Sequence, residues 1–420
     1  MPQLVERSEM TRPTERPVER WWLLLVVGVL ALLSVACPSA IAAVSTSHVG
    51  AVGGRLGVLA PSPPRPYRLP QHATVVSSAR QLESALSRRR ARDIVLADGT
   101  YDAAGPFSDA NGSRLYAQHL GRAVLTAGLV VGGNFSSGGA VVQGLAFDVS
   151  SAAKTLQGSE LITWGPAGDN LRVLDTTFAG HGVVPIGLNA YNPTGLVAQR
   201  LTFSNFTDEG LRASDNATVA YGATTPAISA ISDISVDGVS RSTPGASNGT
   251  AEAGIWIGQP VTGGVQRIKI RNVSWSGIET VNNSWNTTFT DLDIDMSGPN
   301  AYVGVAVYIE HFGHNLVFNR FQISGSAVGF KAEWNDPAWG GVAAAHDTLI
   351  ENGTIDAAGW TRGGHTSGLF LDQGTESTTA TVITFKNQNF AAIDAYNNIG
   401  TNSFTGNTYG TVTPISSTHM

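Results

Sequence analysis

A four-residue unit recurs along the C-terminal half of the chain and constrains its fold more tightly than any other feature. Gly254-Ile255-Trp256-Ile257 returns as Gly277-Ile278-Glu279-Thr280, Ala306-Val307-Tyr308-Ile309, Gly329-Phe330-Lys331-Ala332, Gly368-Leu369-Phe370-Leu371 and Ala392-Ile393-Asp394-Ala395. The second and fourth positions are mostly apolar and the third is mixed. That alternation is the signature of a strand with one face inward. A second phase of the repeat places a polar residue shortly before an apolar one at Asp175, Asp237, Asn272, Asp295, Asn319, Asn352 and Asn387. Several intervals are about 23–25 residues, and the others fit one coil plus an inserted loop, which is the period of a repeat architecture. One short strand per coil, stacked on the next, makes a right-handed parallel β-helix. Asparagines at the turns serve either as amide ladders or as ordinary turn residues.

Composition agrees with an all-β solenoid. Charged residues are 14% of the chain, well below the usual quarter, and the net charge is −6. These values exclude a coiled coil and a basic nucleic-acid binder. The N-terminus has the pattern of an export signal. Arg7, Arg12, Arg16 and Arg20 precede an apolar run from Trp21 to Leu33, and small residues follow, including Ala40-Ile41-Ala42. The run is shorter than a membrane span of about 18 apolar residues. Residues 1–43 are therefore read as a signal peptide of a secreted or cell-surface protein, with no stable membrane span after cleavage. An uncleaved anchor and a lipoprotein attached through Cys37, in Ser34-Val35-Ala36-Cys37, are the alternatives. Cys37 is the only cysteine, so the remainder has no disulfide, cysteine nucleophile or thiolate metal site.

Residues 44–73 read as a Pro/Ser/Gly-rich linker ending in Pro61-Ser62-Pro63-Pro64-Arg65-Pro66, residues 74–412 as the β-helix, and residues 413–420 as a tail. From Ser78 to Arg92 the spacing of Leu82 and Leu86 predicts a short helix capped by Ser78, with arginines at its C-terminal end. Asp93-Ile94-Val95-Leu96-Ala97-Asp98-Gly99-Thr100-Tyr101 follows as strand and turn. This stretch, Val75 to Asp102, resembles the N-terminal cap of pectate-lyase-like right-handed β-helix proteins. It is most similar to the polysaccharide lyase group that includes chondroitinase B and alginate lyases. The resemblance implies a polysaccharide as partner and β-elimination as reaction, although that group's catalytic Lys and Arg motifs have no match here. A second echo, Gly180-His181-Gly182 and Arg267-Ile268-Lys269, resembles polygalacturonase-type hydrolases, but the paired aspartates expected upstream are missing.

The candidate chemistry forms one row. The fifth position of the aligned units reads Gly258, Val281, Glu310, Glu333, Asp372 and Tyr396. Three successive carboxylates about 5 Å apart cannot all ionise freely. Either one keeps its proton or a cation sits among them. Glu310, Glu333 and Asp372 are thus candidate acids and bases and candidate Ca²⁺ ligands. Lys331 is the first candidate base, with Arg362 and His311 as alternatives. Tyr308, Trp334, Trp339 and His365 are candidate substrate-binding residues, the aromatics by stacking on sugar faces. Trp334 and Trp339 lie in an insertion, Trp334-Asn335-Asp336-Pro337-Ala338-Trp339, that lengthens its coil. Three functions fit: a lyase acting on uronate-containing glycan, a glycoside hydrolase using the same carboxylates, and a non-catalytic glycan-binding or structural β-helix. No nucleotide or redox cofactor is implied.

Overall fold

In the computed structural model every coil contributes strands to two sheets, and every strand pairing between coils is parallel. The structure describes residues 57–90, 92–132, 139–164, 169–214, 227–240, 252–281, 283–310, 313–333, 345–372, 374–396 and 401–417. The architecture is a right-handed parallel β-helix. Among the described residues a front sheet of 12 strands runs from Phe107–Asp109 to Ile415–Ser416, and a back sheet has 17.

The back sheet bends within its long strands. Val197–Phe206 passes through Arg200 at φ 56°, Ala230–Val239 through Asp233 at φ 59°, and Val265–Val273 through Arg267 at φ 54°. The same left-handed corner recurs at Asp175, Asp291, Arg320, Asn352 and Val382. Each coil therefore has three faces, one from the front sheet and two from the bent back sheet. Asp and Asn accept this conformation readily, whereas Arg and especially Val do so at a cost. For the arginines a specific partner offsets it. Each is forked onto the aspartate one coil earlier: Arg200 on Asp175 (2.5 and 3.0 Å), Arg267 on Asp233 (2.6 and 2.8 Å) and Arg320 on Asp291 (2.9 and 2.8 Å).

The same three aspartates hold the proline-rich segment. The backbone N–H groups of Leu59, Ser62 and Arg65 donate to Asp291, Asp233 and Asp175 at 3.2, 2.7 and 2.9 Å. A polyproline helix repeats every three residues and advances about 9 Å in doing so. Two coils of a parallel stack advance about the same distance. Prolines 61, 63 and 64, which lack a donor, fall between the donating residues, and Pro66 follows the last of them. Residues 59–67 are thus a strap laid along the back sheet, secured at its end by the Tyr67 hydroxyl on the Ala117 carbonyl (2.5 Å).

The first coil is closed by the helix Ala79–Leu86, which Ser78 caps and which buries Leu82, Ala85 and Leu86. It stops at Leu86, ahead of the arginine run, where Ser87-Arg88-Arg89-Arg90 offers no apolar side chain to bury. Strands Asp93–Leu96 and Gly99–Tyr101 follow. Inside the solenoid, aromatic rings repeat with the coils: Phe147, Phe178 and Phe203 stack at 5.0 and 4.8 Å. The glycine that opens four of the six repeat units has a packing reason. A Cβ on Gly254 would lie 2.7 Å from the Gly277 carbonyl and 3.1 Å from Ile270, and one on Gly277 would lie 2.6 Å from the Ala306 carbonyl. At these glycines a side chain would press on the backbone of the next coil. No helix among the described residues is long and apolar enough to cross a membrane.

Candidate functional site

Two rows of side chains stand on the outer surface of the front sheet, one rung per coil. The first row is the third position of the repeat unit. Its register runs Asn189, Arg212, Trp256, Glu279, Tyr308, Lys331, Phe370, Asp394. The second row lies just past the strand ends. There the backbone N–H groups of Glu310, Glu333 and Asp372 donate to Thr280, Ile309 and Ala332 carbonyls at 2.9, 2.9 and 3.0 Å. The three carboxylates therefore occupy successive coils, beside Tyr308, Lys331 and Phe370 of the first row.

Where the rows meet, charged groups crowd against a buried phenol. Tyr308 is 7% exposed, and its hydroxyl donates to Glu333. Burial, then the Glu333 charge, pushes the phenol far above its ordinary range. The Lys331 ammonium lies over the Tyr308 ring, 4.6 Å from its centroid, and 3.7 Å from the Glu333 carboxylate. Burial pushes Glu310 up to about 8, reinforced by the charges of Glu279 and Glu333 and opposed by Lys331. Glu279 is 1% exposed and hydrogen-bonded by Ser276 Oγ (2.9 Å). Burial and the Glu333 charge push it up to about 7, against the Ser276 hydrogen bond and Arg212. Near neutrality the site thus holds one carboxyl protonated, with the Lys331 ammonium acting on it, and a second near its midpoint. Groups tuned apart in this way are equipped for proton transfer.

Farther along the first row, Arg212 lies over the Trp256 ring at 3.9 Å, and its guanidinium contacts the buried Glu209 carboxylate. Burial pushes Glu209 upward against the pull of Arg212.

The structure gathers Tyr308, Glu310, Lys331 and Glu333 into this cluster and sets Asp372 one coil beyond Glu333. It places Arg362 and His365 elsewhere. Both precede the strand Ser367–Leu371, at the end opposite Asp372, and five residues of strand separate the two ends by roughly 16 Å. Arg362 donates to the Pro299 carbonyl (2.7 Å), and His365 packs on Phe390. His311, Trp334 and Trp339 lie outside the described residues. His314 stacks between Trp285 and His346, with centroids 5.2 and 5.0 Å away. The hydrolase-like echo does not assemble: His181 contacts Asp148, while Lys269 is exposed on the back sheet. Sequence reasoning passed over Glu279, Arg212 and Trp256. The signal was present in the repeat itself, since all three occupy its outward third position.

Among the described residues no group of three or more His, Cys, Asp or Glu side chains is placed to hold a metal ion.

No family model and no curated protein sequence matches the chain. Among solved structures it is similar to an alginate lyase from Paenibacillus sp. str. FPU-7, at 13% identity and TM-score 0.43, over 83% of this chain and 98% of that one. The A-module of the mannuronan C-5 epimerase AlgE6 from Azotobacter vinelandii gives 14% identity and TM-score 0.42, over 82% and 95%. A mutant of the PL6 family alginate lyase AlyGC gives 12% and 0.33, over 82% of this chain and 53% of that one.

Proposed function

We propose that this protein is an exported polysaccharide-active enzyme, a lyase that cleaves uronate-containing glycan by β-elimination. One observation carries the reading: a front-face cluster that keeps Glu310 protonated, and Glu279 partly so, at neutral pH. Ionised carboxylates would repel a polyanion, whereas protonated ones donate hydrogen bonds to it. Glu310 and the Lys331 ammonium would hold the uronate carboxylate and stabilise charge developing on it. Glu333 would take the C5 proton, and the electron pair left at C5 would form the C4–C5 double bond as the C4–O4 bond breaks. Tyr308 would protonate the departing O4 and recover a proton from Glu333 through the hydrogen bond joining them. Lys331 has the contacts of a cation in this scheme and acts as such. No step requires calcium. Residues 1–43 would supply export.

A glycoside hydrolase is the second reading, favoured by Glu310 and Glu333 lying on adjacent coils with one protonated and the other acting as an anion. The test is a panel of polyuronates and neutral glycans, read in parallel for ultraviolet absorbance of an unsaturated product and for reducing ends, with and without EDTA. Absorbance that survives EDTA supports the lyase as written. Reducing ends alone select the hydrolase. Silence in both leaves a glycan-binding or structural β-helix. N-terminal sequencing of protein recovered from culture medium tests export.

A further inference from the structure

On the opposite side of the solenoid the strap roofs a cavity. The Arg65 N–H rests on Asp175, and the Tyr67 hydroxyl rests on the Ala117 carbonyl, two coils nearer the N-terminus. Between those anchors the strap and the back sheet shelter about 280 Å³. Ligand pockets usually run from about 300 to 1,000 Å³, so this one suits a small guest. Register builds its sheet side. Tyr116, Gln143 and Leu174 pair across three successive coils, and Arg172 stands two residues before Leu174, on the same outward face.

Three arginines line this space, Arg65, Arg172 and Arg200, against one carboxylate, Asp175. Asp175 is already engaged: Arg200 forks onto it, and the Gln143 amide and the Arg65 N–H also donate to it. Among the described residues no hydrogen bond or ion pair holds the Arg65 guanidinium, the Arg172 guanidinium or the Tyr116 hydroxyl. Every other arginine on the back-sheet strands has an aspartate: Arg114, Arg200, Arg267, Arg271 and Arg320. Arg172 alone breaks that rule, and it faces a second unpaired arginine from the strap. Two positive charges are thus uncompensated around one small cavity, in a chain whose net charge is −6. Like charges so placed repel, and an anion between them removes the repulsion. A monocarboxylate would neutralise only one of them. A tetrahedral dianion neutralises both, and its oxygens match the guanidinium fork.

We infer that this cavity binds a tetrahedral dianion, either inorganic phosphate or sulfate or the phosphate monoester of a small molecule, and that the bound anion locks the strap onto the back sheet. Arg172 holds the anion from the sheet and Arg65 from the strap, while the Tyr116 hydroxyl donates a further hydrogen bond. Half of the site belongs to the strap, so the anion binds the docked strap and not the released one. Binding and docking are therefore linked. The inference rests on neither the polyuronate substrate nor the lyase reaction.

The experiment is chymotrypsin digestion of the full chain, read by mass spectrometry as the rate of cleavage within residues 57–69. It is run in phosphate, sulfate, glucose 6-phosphate, acetate and chloride at matched ionic strength and slightly alkaline pH, where phosphate is mostly dianionic. Each rate is normalised to that of a free 57–69 peptide in the same salt, and calorimetric titration supplies each Kd. At ten times its Kd, phosphate should slow strap cleavage about tenfold relative to chloride. Arg172→Gln should weaken phosphate by at least about tenfold and remove the protection. Arg65→Gln should do the same while keeping the backbone N–H that Asp175 accepts. Both side chains are exposed, so neither substitution touches the core. Tighter binding of glucose 6-phosphate than of inorganic phosphate supports a monoester site, and the reverse order supports an inorganic one. Equal protection by acetate or chloride overturns the dianion site. Phosphate affinity that survives both substitutions overturns its placement here. Phosphate that binds without slowing cleavage overturns the lock.

Discussion

Replacing Glu310 with glutamine tests the physical premise of the site. In the folded protein this carboxyl holds its proton up to about 8, against 4.5 for an ordinary glutamate. Between those values the folded state binds a proton that the unfolded state has released. Stability must therefore fall as pH rises, by about 1.4 kcal/mol per pH unit. The contribution is fully present below about 4.5, drains away through neutrality and is exhausted above about 8. Glutamine preserves the shape and cannot ionise. Groups that do not interact with Glu310 titrate in both proteins and cancel in the difference. Glu310→Gln should gain on wild type by about 3 kcal/mol over the two pH units between about 5 and 7, measured by urea unfolding at matched ionic strength. The gain should stop growing above about pH 8, once the wild-type carboxyl has ionised. Parallel stability curves for the two proteins across this range would refute the claim that Glu310 keeps its proton, and with it the proposed docking of a uronate carboxylate there.

The remaining predictions concern activity, strap and corner. Glu333→Gln should lower kcat by at least about 100-fold, the range typical of a general base, while oligosaccharide affinity stays within a fewfold; assays on both quantities check it. Wild-type kcat should decline as pH rises through about 8, where Glu310 loses its proton, and a pH–rate profile that stays flat there removes Glu310 from the mechanism. Asp233→Asn removes the anion shared by Arg267 and the Ser62 N–H, and losing charge-assisted hydrogen bonds in this partly buried pair costs about 1.5–3 kcal/mol. Limited proteolysis should then cut residues 57–67 faster than in wild type. Gly277→Val forces a side chain to within 2.6 Å of the Ala306 carbonyl and should cost at least about 1–3 kcal/mol, read as a lower melting temperature.

The fold was legible in the sequence because a solenoid writes its geometry as a period. The alternation in Gly254-Ile255-Trp256-Ile257 and its echoes identifies the inward positions, and Ile255, Ile278, Val307, Phe330, Leu369 and Ile393 are all buried. The row Glu310, Glu333 and Asp372 was legible for the same reason. What escaped depends on contacts between coils that no local pattern encodes. Glu279 reads as one more solvated third position, yet it is 1% exposed and hydrogen-bonded by Ser276. Arg362 and His365 share a sequence neighbourhood with Asp372, but the strand between them carries them to the other end of the sheet. The proline-rich stretch announces an extended chain; only the three aspartates, spread from residue 175 to residue 291, show where it lies.

The two sides of the solenoid use one spacing for opposite ends. On the back sheet, rungs alternate in sign: Asp175, Arg200, Asp233, Arg267, Asp291, Arg320. Burial alone would raise these aspartates, but the arginine forks and strap N–H groups prevail and hold Asp175, Asp233 and Asp291 below their ordinary value. On the front, Glu279, Glu310 and Glu333 stand at the same coil spacing with Lys331 as the adjacent cation, and Glu279 and Glu310 are driven upward. Alternation stabilises, because each added charge meets its opposite. Like charges on neighbouring coils destabilise, by an amount the back ladder shows this chain is able to avoid. Retaining that arrangement on one face only is the pattern expected of a site that needs its protons poised near neutrality. The strap lies along the back ladder, and the front row is where the proposed function puts the substrate.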